Sequence, residues 1–120
     1  MDNLKLCESD YQFMSVVWQN EPLTSGRLVI LCANNLGWKK PTTYTVLRKL
    51  CEKGFLKNAG TIVTSLVPRE KVQSSESEHF VKRTFSGSLP MFLSSFLDGK
   101  VIPDHEAEEL KRLIDEHREN

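Results

Sequence analysis

The stretch Lys39-Lys40-Pro41-Thr42-Thr43-Tyr44-Thr45-Val46-Leu47-Arg48-Lys49-Leu50-Cys51-Glu52-Lys53-Gly54-Phe55-Leu56-Lys57 decides the fold. Proline suits the opening turn of a helix, because its missing N–H has no intrahelical partner there. Leu47, Leu50 and Cys51 recur at i, i+3 and i+4 with Val46 beside them, so one side of that helix is apolar. The other side carries Thr42, Tyr44, Thr45, Arg48, Lys49 and Glu52. Gly54 stands where a helix C-terminus turns into the left-handed region. The spacing therefore predicts an amphipathic helix starting near Pro41, with a polar and mostly basic outer face. A β-hairpin follows: Phe55-Leu56-Lys57, a turn at Asn58-Ala59-Gly60, and a β-branched run over residues 61–67 closed by Pro68.

Working back toward the N-terminus, Ser9-Asp10-Tyr11-Gln12 reads as a capping box, and Asp10 adds negative charge where the helix dipole favours it. Phe13, Met14, Val17 and Trp18 then fall at helical spacing, predicting a first helix over residues 10–20 that Asn20-Glu21-Pro22 ends. Thr24 is placed to cap a second helix reaching about residue 34, with Leu28, Leu31 and Cys32 on its inner stripe. Asn34-Asn35-Leu36-Gly37 is a turn sequence, since Asn and Gly accept positive φ at least cost. Trp38 follows as a large apolar anchor. Three helices and a hairpin, in this order and at these lengths, make a winged-helix arrangement.

Beyond Pro68 the composition shifts. Residues 69–79 are nearly all polar apart from Val72, and lead into an expected helix with few core contacts that ends at Ser86-Gly87. Ser88 can cap a fifth helix with the stripe Leu89, Phe92, Leu93, Phe96 and Leu97, ended by Asp98-Gly99. Pro103-Asp104 opens a sixth, with Ala107, Leu110, Leu113, Ile114 and His117 on one side and Glu108–Arg112, Lys111–Asp115 and Arg112–Glu116 pairs on the other. These last helices are short and carry one apolar stripe each. Burial contributes about 25 cal/mol per Å², and a second copy related by a two-fold axis is the simplest cover. The expected organisation is mainly α with a small β-hairpin: a winged helix-turn-helix domain over residues 1–68 and a helical dimerisation region over residues 69–120. Leu89, Phe92, Leu93, Phe96, Leu97, Leu110, Leu113 and Ile114 are expected at the dimer contact.

A chain of 120 residues, 39% hydrophobic and 27% charged, is ordinary for one folded domain with a small appendage. Net charge is zero, but its distribution is uneven. Residues 39–57 hold Lys39, Lys40, Arg48, Lys49, Lys53 and Lys57 against Glu52, while beyond Lys100 the acidic residues dominate. No run approaches the ~20 apolar residues of a membrane span, and the acidic N-terminus does not resemble a secretory signal. The expected location is cytoplasmic, without membrane insertion. Cys7, Cys32 and Cys51 are widely spaced and odd in number; Cys32 and Cys51 sit in apolar helical patterns, as reduced core cysteines do.

Catalytic signatures are absent from the sequence. His105-Glu106-Ala107-Glu108-Glu109 starts like a zinc-protease helix, but Glu109 stands where the second histidine must be. His79, His105 and His117 are scattered, and there is no Gly-rich phosphate loop. No enzyme, metal or cofactor is expected.

Residues along almost the whole chain carry a family resemblance. They are Glu8-Ser9-Asp10, Met14, Val17-Trp18, Pro22-Leu23-Thr24, Trp38, Thr42, Thr45, Leu47 and Leu50, then Lys53-Gly54-Phe55-Leu56 and Leu66-Val67-Pro68-Arg69-Glu70. In the tail they are Phe85-Ser86-Gly87-Ser88-Leu89, Phe96 and Glu108-Glu109-Leu110-Lys111-Arg112-Leu113. In this order and spacing the chain resembles the BlaI/MecI penicillinase-repressor family of bacterial winged-helix regulators, which also contains the CopY-type copper repressors. The resemblance implies a homodimer that binds a dyad operator and represses transcription. It also implies relief by a regulatory protease in the tail, at a position that falls on Ser95-Phe96; Phe96 matches the best-known members, and Ser95 stands where they have asparagine. The hairpin is shorter than the family's and has Gly60-Thr61 in place of a Gly-Arg pair, Tyr44 stands where a basic residue is common, and the copper branch's paired tail cysteines are missing.

The expected partner is double-stranded DNA, met by Lys39, Lys40, Thr42, Thr43, Tyr44, Thr45, Arg48, Lys49 and Lys53. Arg48 suits a bidentate contact to guanine in the major groove, and the lysines suit phosphates. The alternative is a winged helix used for protein contacts without sequence-specific DNA binding.

Overall fold

The computed structural model describes residues 4–119, and its chain divides into two compact units that meet in sequence at Phe80 and Val81. The first unit contains α1 (Glu8–Asn20), β1 (Leu23–Thr24), α2 (Ser25–Leu36), α3 (Lys40–Glu52), β2 (Leu56–Ala59) and β3 (Ile62–Ser65). It also holds the first part of α4 (Arg69–Phe85). This is the expected winged helix, mainly α with a small antiparallel sheet.

Its core forms where the apolar stripes converge. Phe13, Met14 and Val17 of α1, Leu28 and Cys32 of α2, and Leu47 and Leu50 of α3 are buried together with Phe55, Leu56 and Val63 from the hairpin. Trp38, between α2 and α3, stacks on Phe13 with ring centroids 5.7 Å apart. Thr24 caps α2 as expected, its hydroxyl accepting from the Arg27 amide at 3.0 Å, and Gly37 closes that helix at φ 70°.

Local readings needed correction at several points. The capping box over Ser9–Gln12 does not form: α1 starts at Glu8, its N-cap is Cys7 without a side-chain cap, and the Gln12 amide donates to Glu8 Oε2 at 3.4 Å. Starting there puts Ser9 inside the first turn, where its hydroxyl cannot cap. The hairpin turn lies at Gly60-Thr61, both at positive φ (56° and 67°), and Ala59 pairs with Ile62 across it. Residue 61 was expected in the strand as the start of a β-branched run, and a β-branched side chain disfavours the left-handed region. Tertiary contacts hold it there: β1 pairs with β3 in the register Leu23↔Val63 and Thr24↔Ile62, and the Thr61 carbonyl accepts from the Ser25 amide at 2.8 Å. The sheet order is therefore β1-β3-β2, with β1 too short to show a strand signal of its own.

The polar segment after Pro68 is helical from its start. It begins α4, whose first part packs with the winged helix: Val72 is fully buried, Arg69 lies 5.5 Å over the Trp18 ring, and Gln73 donates to the Tyr11 hydroxyl at 3.3 Å. The unit boundary accordingly falls at residue 80, later than the residue 68 expected from composition. The part of α4 in the first unit, from Arg69 to Phe80, is thus just over three turns of helix.

The second unit holds the end of α4, α5 (Leu89–Leu97) and α6 (Asp104–Glu116). Ser88 caps α5 by accepting from the Met91 amide at 3.2 Å. Phe92 meets Phe85 edge-on at 5.5 Å and Phe96 at 6.1 Å, and the Lys100 ammonium donates to the Phe96 carbonyl at 2.7 Å. Neither α5 nor α6 contains a buried residue. The charge pairs along and just after α6 differ from the expected i, i+4 set: Lys111 pairs with Glu108 at 3.2 Å and Asp115 with Arg118 at 3.5 Å, both at i, i+3 and well exposed.

Candidate nucleic-acid interface

Helix α3 sets the geometry. Its inner stripe, Leu47 and Leu50, is locked into the core, so the rest of each turn must face outward. Thr42, Thr45 and Arg48 are exposed and spaced three apart, which places them along one side of the helix. Lys39 is the N-cap, Lys40 the first helical residue and Lys53 the C-cap, and all three are exposed. Among the described residues, Lys39, Lys40, Arg48 and Lys53 have no ion-pair partner. Thirteen residues at 1.5 Å each make α3 about 20 Å long, a length that suits a major groove.

The nine expected contact residues do not all share this face. Thr45 is exposed, with its hydroxyl donating back to the Pro41 carbonyl at 2.9 Å. Tyr44 is half-buried and packs against the core. Thr43 is a correction: it is fully buried, and its hydroxyl has no well-formed hydrogen bond. Its position is set by the helical period, which turns residue 43 inward with Leu47 and Leu50. Next to it burial pushes the Cys32 thiol pKa up, an effect the Thr43 hydroxyl opposes only in part. Cys32 and Cys51 are free thiols, as expected, the first buried and the second half-buried.

Lys49 is the other departure. Its ammonium lies 2.9 Å from Asp10 Oδ1, and the Asp10 side chain is only 3% exposed while that of Lys49 is 43% exposed. The carboxylate holds the Lys49 pKa above its ordinary value. Sequence reading assigned Asp10 to the helix dipole alone, although a signal for more was present. Residue 10 stands at i, i+3, i+4 and i+7 with Phe13, Met14 and Val17, on the inner stripe, where a charge requires a partner.

A second residue missed in the sequence is Glu21, which fastens the hairpin to the end of α1. Glu21 Oε1 accepts from the Ser65 amide at 2.7 Å and Oε2 from the Ser65 hydroxyl at 2.8 Å. Glutamate beside a proline after a helix carries no signal that distinguishes such a clasp from a solvated surface residue. At the tip of the hairpin, Lys57 to Thr61 are all exposed.

In the second unit, Leu89, Phe96, Leu110, Leu113 and Ile114 are exposed large apolar side chains, while Phe92, Leu93 and Leu97 are partly covered. Ser95 and Phe96 lie exposed in the last turn of α5. Among the described residues there is no group of three or more His, Cys, Asp or Glu able to hold a metal ion, and no helix is long and apolar enough to cross a membrane.

Comparison with known proteins matches residues 6–116 to the family model described as penicillinase repressor. The chain is also similar to the penicillinase repressor of Bacillus licheniformis, at 20% identity over 118 residues, covering 95% of this chain and 92% of that protein.

Proposed function

The chain belongs to the penicillinase repressor family of transcriptional repressors, and from that premise we propose that it acts as a homodimer on a dyad operator, reading DNA with α3. The observation that supports the reading is the outward side of α3, where Thr42, Thr45 and Arg48 stand exposed between the cations Lys39, Lys40 and Lys53. Arg48 reads a base edge, best a guanine, through its planar pair of donors. The lysines neutralise phosphates and set the register without sequence information.

The second copy covers the apolar side chains of α5 and α6. Phe96 is 56% exposed, Leu113 52% and Ile114 53%, in helices with no buried residue of their own. A two-fold dimer carries two α3 helices, one for each half-site of a dyad operator. Proteolysis between Ser95 and Phe96 would sever α6 from the rest of the chain and so relieve repression. That bond lies in the last turn of a helix, and a protease must open the turn before it can act.

Binding to promoter fragments from the source genome, measured at two or more salt concentrations, tests the reading. Affinity falls linearly in log–log form by ~0.9 per phosphate neutralised, and Arg48→Ala lowers the preference at one base pair by about 1–3 kcal/mol. A protein-interaction module without DNA affinity gives no shift of any fragment at low salt, which would exclude the operator-binding reading.

A further inference from the structure

We propose that Lys49 is a positioning residue and not a phosphate contact: its ion pair with Asp10 clamps the reading helix α3 to the start of α1. The inference rests on the DNA-binding reading of α3 and assigns one of its cations a different task. Three observations carry it. Asp10 is a carboxylate buried to 2% exposure in the first unit's core layer, so it needs a compensating charge. Lys49 supplies that charge at 2.9 Å, from one helix of the first unit to another. Lys49 also follows Arg48 directly in sequence, about 100° round the helix from it, so committing Lys49 to Asp10 fixes the rotation at which Arg48 faces out.

The arrangement is specific in its parts. Asp10 sits in the first turn of α1, where the dipole favours a negative group. Lys49 lies in the last turn of α3, where the dipole favours a positive one. The pair thus joins two complementary helix ends. Around it, the buried stripe of Leu47 and Leu50 sets which side of α3 faces the core, and the Lys49–Asp10 ion pair adds a charge contact beside that stripe. Lys39, Lys40 and Lys53 have no such tie and remain available to phosphates.

The test compares full-length Lys49→Met, Asp10→Asn, Lys49→Arg and Lys53→Met in duplex binding across a salt series, with amide hydrogen exchange of the free proteins alongside. A phosphate-contacting lysine lowers the slope of log K against log salt by ~0.9 when its charge is removed. Lys53→Met is expected to do so. Lys49→Met is expected to weaken binding at least tenfold with the slope unchanged, and to speed exchange of α3 amides in the absence of DNA. Asp10→Asn, which removes no cation, is expected to weaken binding in the same direction, and Lys49→Arg to restore it to near the parent value. A drop of about one unit of slope in Lys49→Met, beside an Asp10→Asn protein that binds like the parent, overturns the clamp while leaving the DNA reading intact. A parent protein that binds no duplex overturns the DNA reading instead, and the exchange of α3 in Lys49→Met then decides whether the clamp exists.

Discussion

The two units of this chain solve the problem of burial in opposite ways. Every buried hydrophobic residue among those described, from Leu4 to Val72, lies in the first unit, while α5 and α6 have none. Yet α5 is rich in Phe and Leu. The difference is arithmetical: three helices and a sheet can turn their apolar sides toward a common centre, whereas two short helices enclose almost no volume. A domain of this size becomes self-sufficient only when its elements surround a core. The second unit has the apolar residues of a core without the geometry to enclose them.

The comparison can be broken by truncating one aromatic in each unit. Phe13→Ala, at a site with no exposure and a stacked tryptophan, is expected to cost about 3–5 kcal/mol in chemical denaturation. Phe96→Ala, at 56% exposure, should change the stability of the dilute monomer by less than about 0.5 kcal/mol. Equal losses at the two sites would show that the second unit has an internal core after all. A sharper form of the same contrast is Phe96→Asp with Leu113→Asp in the full-length chain. Sedimentation is expected to show dimerisation weakened by about 100-fold, near 3 kcal/mol, with the fold of the first unit retained. Unchanged association would remove the proposed dimer surface.

Caps provide a smaller and more even test. Thr24 caps α2 at 3.0 Å and Ser88 caps α5 at 3.2 Å. Alanine at either is expected to cost about 1 kcal/mol to its own helix, but only Thr24→Ala should lower the global unfolding free energy of the cooperative first unit. Calorimetry of the two variants distinguishes them.

The smallest expected effect is with pH. Burial raises the Cys32 and Cys51 thiols above their ordinary 9.0, and Asp10 raises Lys49 above 10.5. The folded chain therefore holds these protons more tightly than the unfolded chain. Their contribution is complete below the ordinary values and declines as pH rises past about 9.0 toward the folded pKa values. Urea midpoints between pH 8 and pH 10.5 should fall gradually; a rise over that range would contradict the assigned burial of the thiols.

Much of the first unit was legible because local and tertiary demands agree there. The stripes of Phe13, Met14 and Val17, of Leu28 and Cys32, and of Leu47 and Leu50 are buried where the helical period puts them. The hairpin turn failed at Thr61 because the preference of one residue was overruled by strand β1 and the Ser25 amide, contacts from distant sequence. Arg48, Thr42 and Thr45 are exposed where the helical period puts them. Thr43 was misread, because the polarity of a hydroxyl outweighed the period, and at Lys49 a basic residue on a basic helix hid a partner thirty-nine positions upstream.

Sequence alone determined the order of the helices and the hairpin, the basic character of α3 and the apolar surplus of the tail, because each follows from periodicity and composition within a few turns of chain. Only the tertiary structure decided which cation is tied to Asp10, which threonine is sealed in the core and where the first unit ends within α4. Those outcomes depend on which side of one helix meets another, and distances between remote residues are not encoded in any local pattern.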